Sequence, residues 1–255
     1  MKIRYPQIII ALGTLLLTSG RVRADAPHLN IAAAANLQKV LTEALLPAFQ
    51  AKTGITVTPT FGSTKLLATQ IRHGAPVDVF VAADTQTVDK LAASHVITAS
   101  TERVYAIGRL VMWTRKDAPR HPRKIEDLGD AAYARIAIAN PLLAPYGMAA
   151  RQSFERAGLA GRIDARIVQA ENIAQCLQYA KSGNADVALT ALSLVIEDKA
   201  DPYVIVPDKL HAPLTQSAAV VSSSRQPARA AQFIAFLTGK EAAPIWKRYG
   251  YLLPK

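Results

Sequence analysis

The apolar positions of the chain alternate between two spacings, and this alternation predicts an α/β fold. Residues 29–35 form a short apolar strand that ends in small residues. The apolar residues between 37 and 49 then recur three and four positions apart, as on one face of an amphipathic helix. Strands at 55–61 and 77–82 follow, each with a helix after it. This order predicts a parallel sheet with helices on both faces.

Two extended segments divide this pattern into two lobes. Residues 103–115 and 212–224 are extended, and the alternation of strands and helices repeats between them. The chain ends in two predicted helices. We therefore predict that lobe 1 contains residues 25–108 and 216–255 and that lobe 2 contains residues 109–215.

The N-terminus has the pattern of a secretory signal peptide over residues 1–24. Lys2 and Arg4 precede an apolar run at 8–17, and Ala24 closes a small-x-Ala cleavage site. The alternative is a membrane anchor, but the run is shorter than the ~20 residues that a membrane span needs. We expect cleavage after Ala24 and export of the remaining chain to the periplasm.

Charge and composition exclude several classes of function. The net charge of the 255-residue chain is +11, and removal of residues 1–24 leaves 26 basic and 19 acidic residues, a net charge of +7. No run of five like charges and no basic stretch interleaved with aromatic residues is present, so we expect no nucleic-acid partner. Cys176 is the single cysteine, and the histidines are scattered. The sequence therefore predicts no disulfide, no directly bound metal cation and an inert buried thiol.

Four segments place small or polar residues between a strand and the N-terminus of a helix. A helix N-terminus presents unpaired N–H groups and about half a positive charge. Several such ends that converge can bind an anion without lysine or arginine, beyond the carboxyl ends of the strands. The segments are 33–36, 62–64, 141–147 and, less clearly, 171–173.

A structural interpretation of the same residues remains open from periodicity alone. Asn36, Ser63 and Asn172 have side chains that commonly cap helices. Tyr146 would then be a half-buried core residue. The two interpretations differ in whether these polar groups face each other across a cleft or each serve their own helix.

The residues in these segments resemble a known family. AAAANL (32–37), the run at 61–84, PLLAPYGMAA (141–150) and WKRYGYLLPK (246–255) are similar to periplasmic molybdate-binding proteins, the substrate-binding components of molybdate ABC importers. The resemblance covers essentially all of the mature chain and is most specific at 70–80. It implies a two-lobed, class II periplasmic-binding-protein fold, in which each lobe is a mainly parallel sheet flanked by helices.

The resemblance also implies which residues contact the ligand. Some members of the family use a tyrosine at the position of Ala191, so Ala191 is a further candidate, and Tyr146 is expected to take over from that tyrosine. The implied ligand contacts are Ala35, Asn36, Ser63 and Thr64 in lobe 1, and Tyr146 and the backbone N–H of Ile173 in lobe 2.

We therefore expect a binding protein and not an enzyme. It would capture molybdate, and also tungstate, between lobes that hinge near 107–109 and 213–217. It would act as a monomer without a cofactor and deliver the ion to an ABC permease in the inner membrane. A site of donors without a carboxylate suits a dianion, because a protonated phosphate would leave its own donor unpaired.

Two alternatives are kept. The same fold could bind another oxyanion such as sulfate, or a small carboxylate, which usually requires an arginine clamp from a residue such as Arg72 or Arg151. A hydrolase could use Ser63, His73 and Asp78, but the sequence lacks the GxSxG pattern of a nucleophile elbow.

Overall fold

The structure is a computed structural model that describes residues 27–198 and 200–254. The predicted signal peptide lies outside the described residues. Within them, no helix combines the length and the apolar character that crossing a membrane requires. Ten strands form two five-stranded sheets. They are β1 (His28–Ala34), β2 (Thr56–Gly62), β3 (Val79–Val81), β4 (Arg103–Gly108), β5 (Leu110–Trp113), β6 (Ile136–Ala139), β7 (Ile167–Ala170), β8 (Val187–Ala191), β9 (Tyr203–Ile205) and β10 (Leu214–Val220).

Helices cover the faces of both sheets. The first helical stretch follows β1 directly and begins with a 3₁₀ turn over Ala35–Leu37. A π-helical turn at Leu41–Leu45 immediately precedes Pro47, which cannot donate a backbone hydrogen bond. The α-helices are α1 (Gln38–Val40), α2 (Leu46–Thr53), α3 (Thr64–Arg72), α4 (Gln86–Ala93), α5 (Pro145–Arg156), α6 (Ile173–Lys181), α7 (Pro227–Leu237) and α8 (Ala242–Arg248).

The two sheets have the same arrangement. In the first, of order β2-β1-β3-β10-β4, β1 is parallel to β2 and β3, and β10 is antiparallel to β3 and β4. In the second, of order β7-β6-β8-β5-β9, β6 is parallel to β7 and β8, and β5 is antiparallel to β8 and β9. The predicted two-lobed α/β fold is confirmed.

Each sheet is mixed, however, where we expected it to be mainly parallel. The antiparallel pairings belong to β5 and β10, which bring the chain into one lobe from the other. A strand that enters a lobe at the carboxyl ends of its parallel strands must run in the opposite direction. The two crossings lie side by side, because Leu214 at the start of β10 pairs with Gly108 at the end of β4.

Candidate functional site

A small cavity lies between the two lobes, at the carboxyl ends of β1, β2 and β3 and at the N-terminal ends of α5 and α6. Its free volume is about 10 Å³, near the minimum for one water molecule. No lysine, arginine, aspartate or glutamate lines it. The lining residues are Ala34, Ala35, Asn36, Gly62, Ser63, Thr64, Ala83, Ala144, Pro145, Tyr146 and Ile173.

The structure brings together six of the seven sequence-predicted residues. Ala35, Asn36, Ser63, Thr64, Tyr146 and Ile173 all line the cavity. Ala191 does not, because it ends β8 as the partner of Leu110 and its methyl group is buried in the core. Sequence reasoning missed Ala83, although this small residue directly follows the apolar strand at 77–82, as Ala35 follows its own strand.

Ser63 occupies the N-cap position of α3 but makes no capping hydrogen bond. Its hydroxyl is buried and has no partner among the described residues. The Thr64 hydroxyl accepts a hydrogen bond from the Ala83 N–H at 3.1 Å, and among the described residues it donates none. A buried hydroxyl without a partner costs free energy unless a ligand satisfies it. These two hydroxyls therefore favour the ligand-site interpretation over the structural one.

Backbone N–H groups are the other hydrogen-bond donors at the cavity. Ala35, Thr64 and Ile173 are each the first residue of a helical segment, so their N–H groups have no intrahelical acceptor. Asn172 does cap α6, as the structural interpretation predicted, and accepts from the N–H groups of Ala174 and Gln175 at 3.1 and 3.0 Å. That cap leaves the Ile173 N–H unpaired at the cavity.

Tyr146 supplies a phenol from lobe 2, and its side chain is 1% exposed. Gln216 of lobe 1 donates a hydrogen bond from Nε2 to the Tyr146 Oη at 3.1 Å. Burial raises the pKa of Tyr146 well above its ordinary value. The phenol therefore keeps its proton and remains a hydrogen-bond donor at neutral pH.

Direct hydrogen bonds join the lobes around the cavity. The Lys65 N–H of lobe 1 donates to the Leu143 carbonyl of lobe 2 at 3.1 Å. The Ser193 hydroxyl of lobe 2 donates to the Asn36 carbonyl of lobe 1 at 2.8 Å. The Tyr251 hydroxyl lies 3.0 Å from Ser193 Oγ. The lobes are therefore closed on the cavity.

The residues of the hydrolase alternative do not meet. Asp78 directly precedes β3, at the end of the strand that lies away from the cavity. Its carboxylate accepts hydrogen bonds from the Asn30 N–H at 2.9 Å and from the Ser224 hydroxyl at 2.6 Å. The exposed His73 ring lies 2.8 Å from the Thr69 carbonyl at the end of α3. Ser63, at the start of that helix, has neither residue as a partner.

The arginines of the carboxylate alternative lie away from the cavity. Neither Arg72 nor Arg151 lines it, and Arg151 pairs with Asp164 at 2.9 Å. Residues 27–198 and 200–254 contain no cluster of three histidine, cysteine, aspartate or glutamate side chains that could hold a metal ion. The Cys176 thiol is buried, and burial raises its pKa, so it stays protonated.

Comparisons with known proteins assign the chain to a family. The family model of bacterial extracellular solute-binding proteins matches residues 29–252. The molybdate-binding protein ModA of Azotobacter vinelandii is 33% identical, with 98% of this chain and 99% of that protein covered. ModA of Rhodobacter capsulatus is 32% identical, with 98% of each covered.

Solved structures show the same fold. The Azotobacter vinelandii periplasmic molybdate-binding protein superposes with a TM-score of 0.83 at 32% identity, over 89% of this chain and 100% of that one. The sulfate-binding protein SubI of Mycobacterium tuberculosis has a TM-score of 0.75 at 17% identity, which shows a shared fold alone. The predicted resemblance to molybdate-binding proteins is confirmed, and the chain belongs to the family of bacterial extracellular solute-binding proteins.

Proposed function

We propose that this protein captures molybdate in the cavity between its lobes and delivers it to an ABC importer from the periplasm. The observation that carries the proposal is the Ser63 hydroxyl, which is buried, lacks a partner and lies at a helix N-terminus beside further unpaired donors. Relatives named as molybdate-binding proteins at 32–33% identity support the choice of ion.

The chemistry of the lining favours a fully deprotonated oxyanion. Hydroxyls and backbone N–H groups line the cavity, and among the described residues no carboxylate does; the buried side-chain acceptor without a partner there is Asn36 Oδ1. A protonated phosphate would have to donate to that one oxygen, and leaving its donor unpaired would cost ~1–3 kcal/mol. A small organic carboxylate lacks an arginine clamp here, because Arg72 and Arg151 lie elsewhere.

Tungstate has the same charge and shape as molybdate and nearly the same size, so we propose that it binds too. Sulfate shares the charge and shape but is smaller, so the size of the ion is the property that would separate it from molybdate. The pairing of Leu214 with Gly108, where the chain crosses between the lobes, supports hinges near 107–109 and 213–217. Opening there would separate the two walls of the cavity and release the ion to the permease.

Isothermal titration calorimetry on protein purified from molybdate-depleted medium tests this function. The panel contains molybdate, tungstate, sulfate, phosphate and acetate. We expect molybdate and tungstate to bind at least ~100-fold more tightly than the others, a difference of about 2.7 kcal/mol. Sulfate binding as tight as molybdate binding would favour the sulfate alternative. An acetate preference would refute the oxyanion site.

A further inference from the structure

Gln216 is a polar side chain that is completely buried behind the cavity wall. It lies in β10, where a β-bulge between Gln216 and Ser217 shifts the pairing with β4. Its Oε1 accepts from Asn36 Nδ2 at 3.0 Å and lies 2.9 Å from the Tyr105 hydroxyl. Its Nε2 donates to the Tyr146 Oη. A buried amide held on both sides is fixed in orientation.

The orientation of this amide determines what the Tyr146 hydroxyl can do. A phenol has one hydrogen, and Gln216 already occupies an acceptor position on the oxygen. Among the described residues, none accepts the hydrogen of Tyr146. Tyr146 is one of the residues that line the cavity, and a ligand there would supply the acceptor that this hydrogen lacks.

The backbone beside the contact between Tyr146 and Gln216 leaves space for it. A Cβ added at Gly108 would overlap both the Tyr146 Oη and the Gln216 Nε2. Gly108 therefore lets the phenol of lobe 2 reach the amide of lobe 1 at the point where the chain crosses between the lobes. The bond joins α5 of lobe 2 to β10 of lobe 1.

We propose that Gln216 is a positioning residue for anion capture, which holds Tyr146 as a hydrogen-bond donor toward the ion and makes that donor depend on lobe closure. The inference rests on the proposed function, because it assumes an oxyanion in the cavity. Gln216 does not line the cavity, but in this role it would help to select deprotonated ions. With the phenol hydrogen directed into the cavity, the Tyr146 oxygen offers no acceptor to a protonated ligand.

A double-mutant cycle tests the role. Methionine has a similar length to glutamine and no amide, so Gln216→Met removes the donor to Tyr146. We expect Gln216→Met to weaken molybdate binding by roughly 10- to 100-fold in the otherwise unchanged protein. In a Tyr146→Phe background, which has no hydroxyl to position, we expect a loss of less than about threefold. Equal losses in the two backgrounds would overturn the proposal and leave Gln216 with a structural role.

A second variant covers the case in which Gln216→Met fails to fold, which a thermal melt reveals. Gln216→Glu keeps an acceptor for Asn36 and Tyr105 but accepts the phenol hydrogen instead of donating to the phenol oxygen. We expect the ratio of phosphate affinity to molybdate affinity to rise at least ~10-fold at pH 6, where phosphate carries a proton. An unchanged ratio contradicts the proposal.

A control and a wild-type measurement separate the possible failures. Gln152→Glu adds the same charge on α5, where the Gln152 Oε1 accepts from the Ala212 N–H and can still do so as a carboxylate. It should leave the ratio unchanged, and an equal rise there would overturn the proposal by assigning the effect to charge alone. If the wild type prefers sulfate, the molybdate function fails, but the same cycle with sulfate still tests Gln216. If the wild type binds no oxyanion, both the proposed function and the proposed role of Gln216 are overturned.

Discussion

Two depressions of the molecule differ in the groups that they offer to an anion. The cavity between the lobes has no charged side chain, but it has buried donors without partners. A wider, open cleft on lobe 2 is lined by Arg120 and His121 together with Glu126, Asp127 and Asp130. There Arg120 already pairs with Asp130 at 3.2 Å, and both side chains are more than half exposed. Such exposed pairs contribute little, because water and salt screen them.

The comparison shows that positive charge does not mark the binding site of this protein. The formal net charge of the chain is +11, yet none of the basic side chains that the structure describes lines the cavity between the lobes. Dipoles in a closed cavity act at short range and in a low dielectric, so a few N–H and O–H groups can hold a dianion. What identifies the site is the unsatisfied Ser63 hydroxyl together with the unpaired helix N-termini beside it, because other buried donors, such as Trp113 Nε1 and Ser217 Oγ, also lack a partner among the described residues but do not line the cavity.

The largest expected effect comes from removal of both hydroxyls on the lobe 1 wall. Each hydrogen bond to a charged ligand contributes ~1.5–3 kcal/mol. We therefore expect the double variant Ser63→Ala, Thr64→Ala to lose molybdate affinity by roughly 100- to 10,000-fold in calorimetry.

The charged cleft supplies the matched control for that double variant. Arg120→Ala removes a full positive charge and should change molybdate affinity by less than about twofold, because exposed charges at a distance are screened. Ser94→Ala removes a hydroxyl that donates to the Lys90 carbonyl on the surface and should also be neutral. If Arg120→Ala cost more affinity than the double variant, charge would matter more than the unpaired donors.

A single backbone donor on the lobe 2 wall is expected to come next. Ile173 is the first residue of α6, where proline is tolerated, and Asn172 before it is extended, with φ −141° and ψ 173°. Ile173→Pro removes the N–H and should weaken molybdate binding by roughly 10- to 100-fold. Ile173→Val keeps the N–H and trims the same buried side chain, so its loss measures packing. Equal losses in the two variants would remove this N–H from the site.

The sequence predicted the elements well but could not show how the strands pair. Periodicity predicted strands at 55–61 and 77–82, and the structure has β2 over Thr56–Gly62 and β3 over Val79–Val81. The extended segment 103–115 is in fact two strands in different sheets, divided at Arg109. The apolar pattern by itself does not show that the two halves of this segment pair in different sheets, because both strands are apolar and their partners are far away in sequence. The short strand β9 was missed, since its three residues are too few to establish a period.

The residues that line the cavity were predictable from the sequence, whereas the residues that hydrogen-bond to them from behind were not. Ala35, Ser63 and Tyr146 lie next to predicted strand ends and carry the family resemblance, so local sequence located them. Gln216 lies in a predicted extended crossing, and Tyr251 lies in the C-terminal stretch 246–255 that carries the family resemblance, but neither residue was predicted to contact the site. Their amide and phenol contact Asn36 across 180 and 215 positions of the chain. Only the tertiary structure brings such partners together.

Salt should change the rate at which molybdate reaches the protein but not the rate at which the cavity releases it. We expect this effect to be smaller than those of the variants above. A basic surface attracts a dianion over distances comparable to the Debye length, whereas the closed cavity is shielded from solvent ions. Raising NaCl from about 0.05 to about 0.5 M should slow molybdate association a few-fold in stopped-flow measurements, and the dissociation rate should stay constant. A dissociation rate that rises in parallel would indicate that exposed charges hold the bound ion.

The smallest expected effect is that of pH, because the donors of the cavity do not titrate near neutrality. Burial raises the pKa of Tyr146 above its ordinary value of 10.0, so the folded protein holds this proton more tightly than the unfolded chain does. Loss of the proton would remove a donor and add a negative charge beside the dianion. The raised pKa moves that loss, and the accompanying loss of stability, to pH values above 10. Molybdate affinity should therefore change by less than about twofold between pH 7 and 9. A tenfold weakening over that range, absent in Tyr146→Phe, would mean that the phenol titrates near neutrality and that the lobe 2 wall is more open to water than the closed structure indicates.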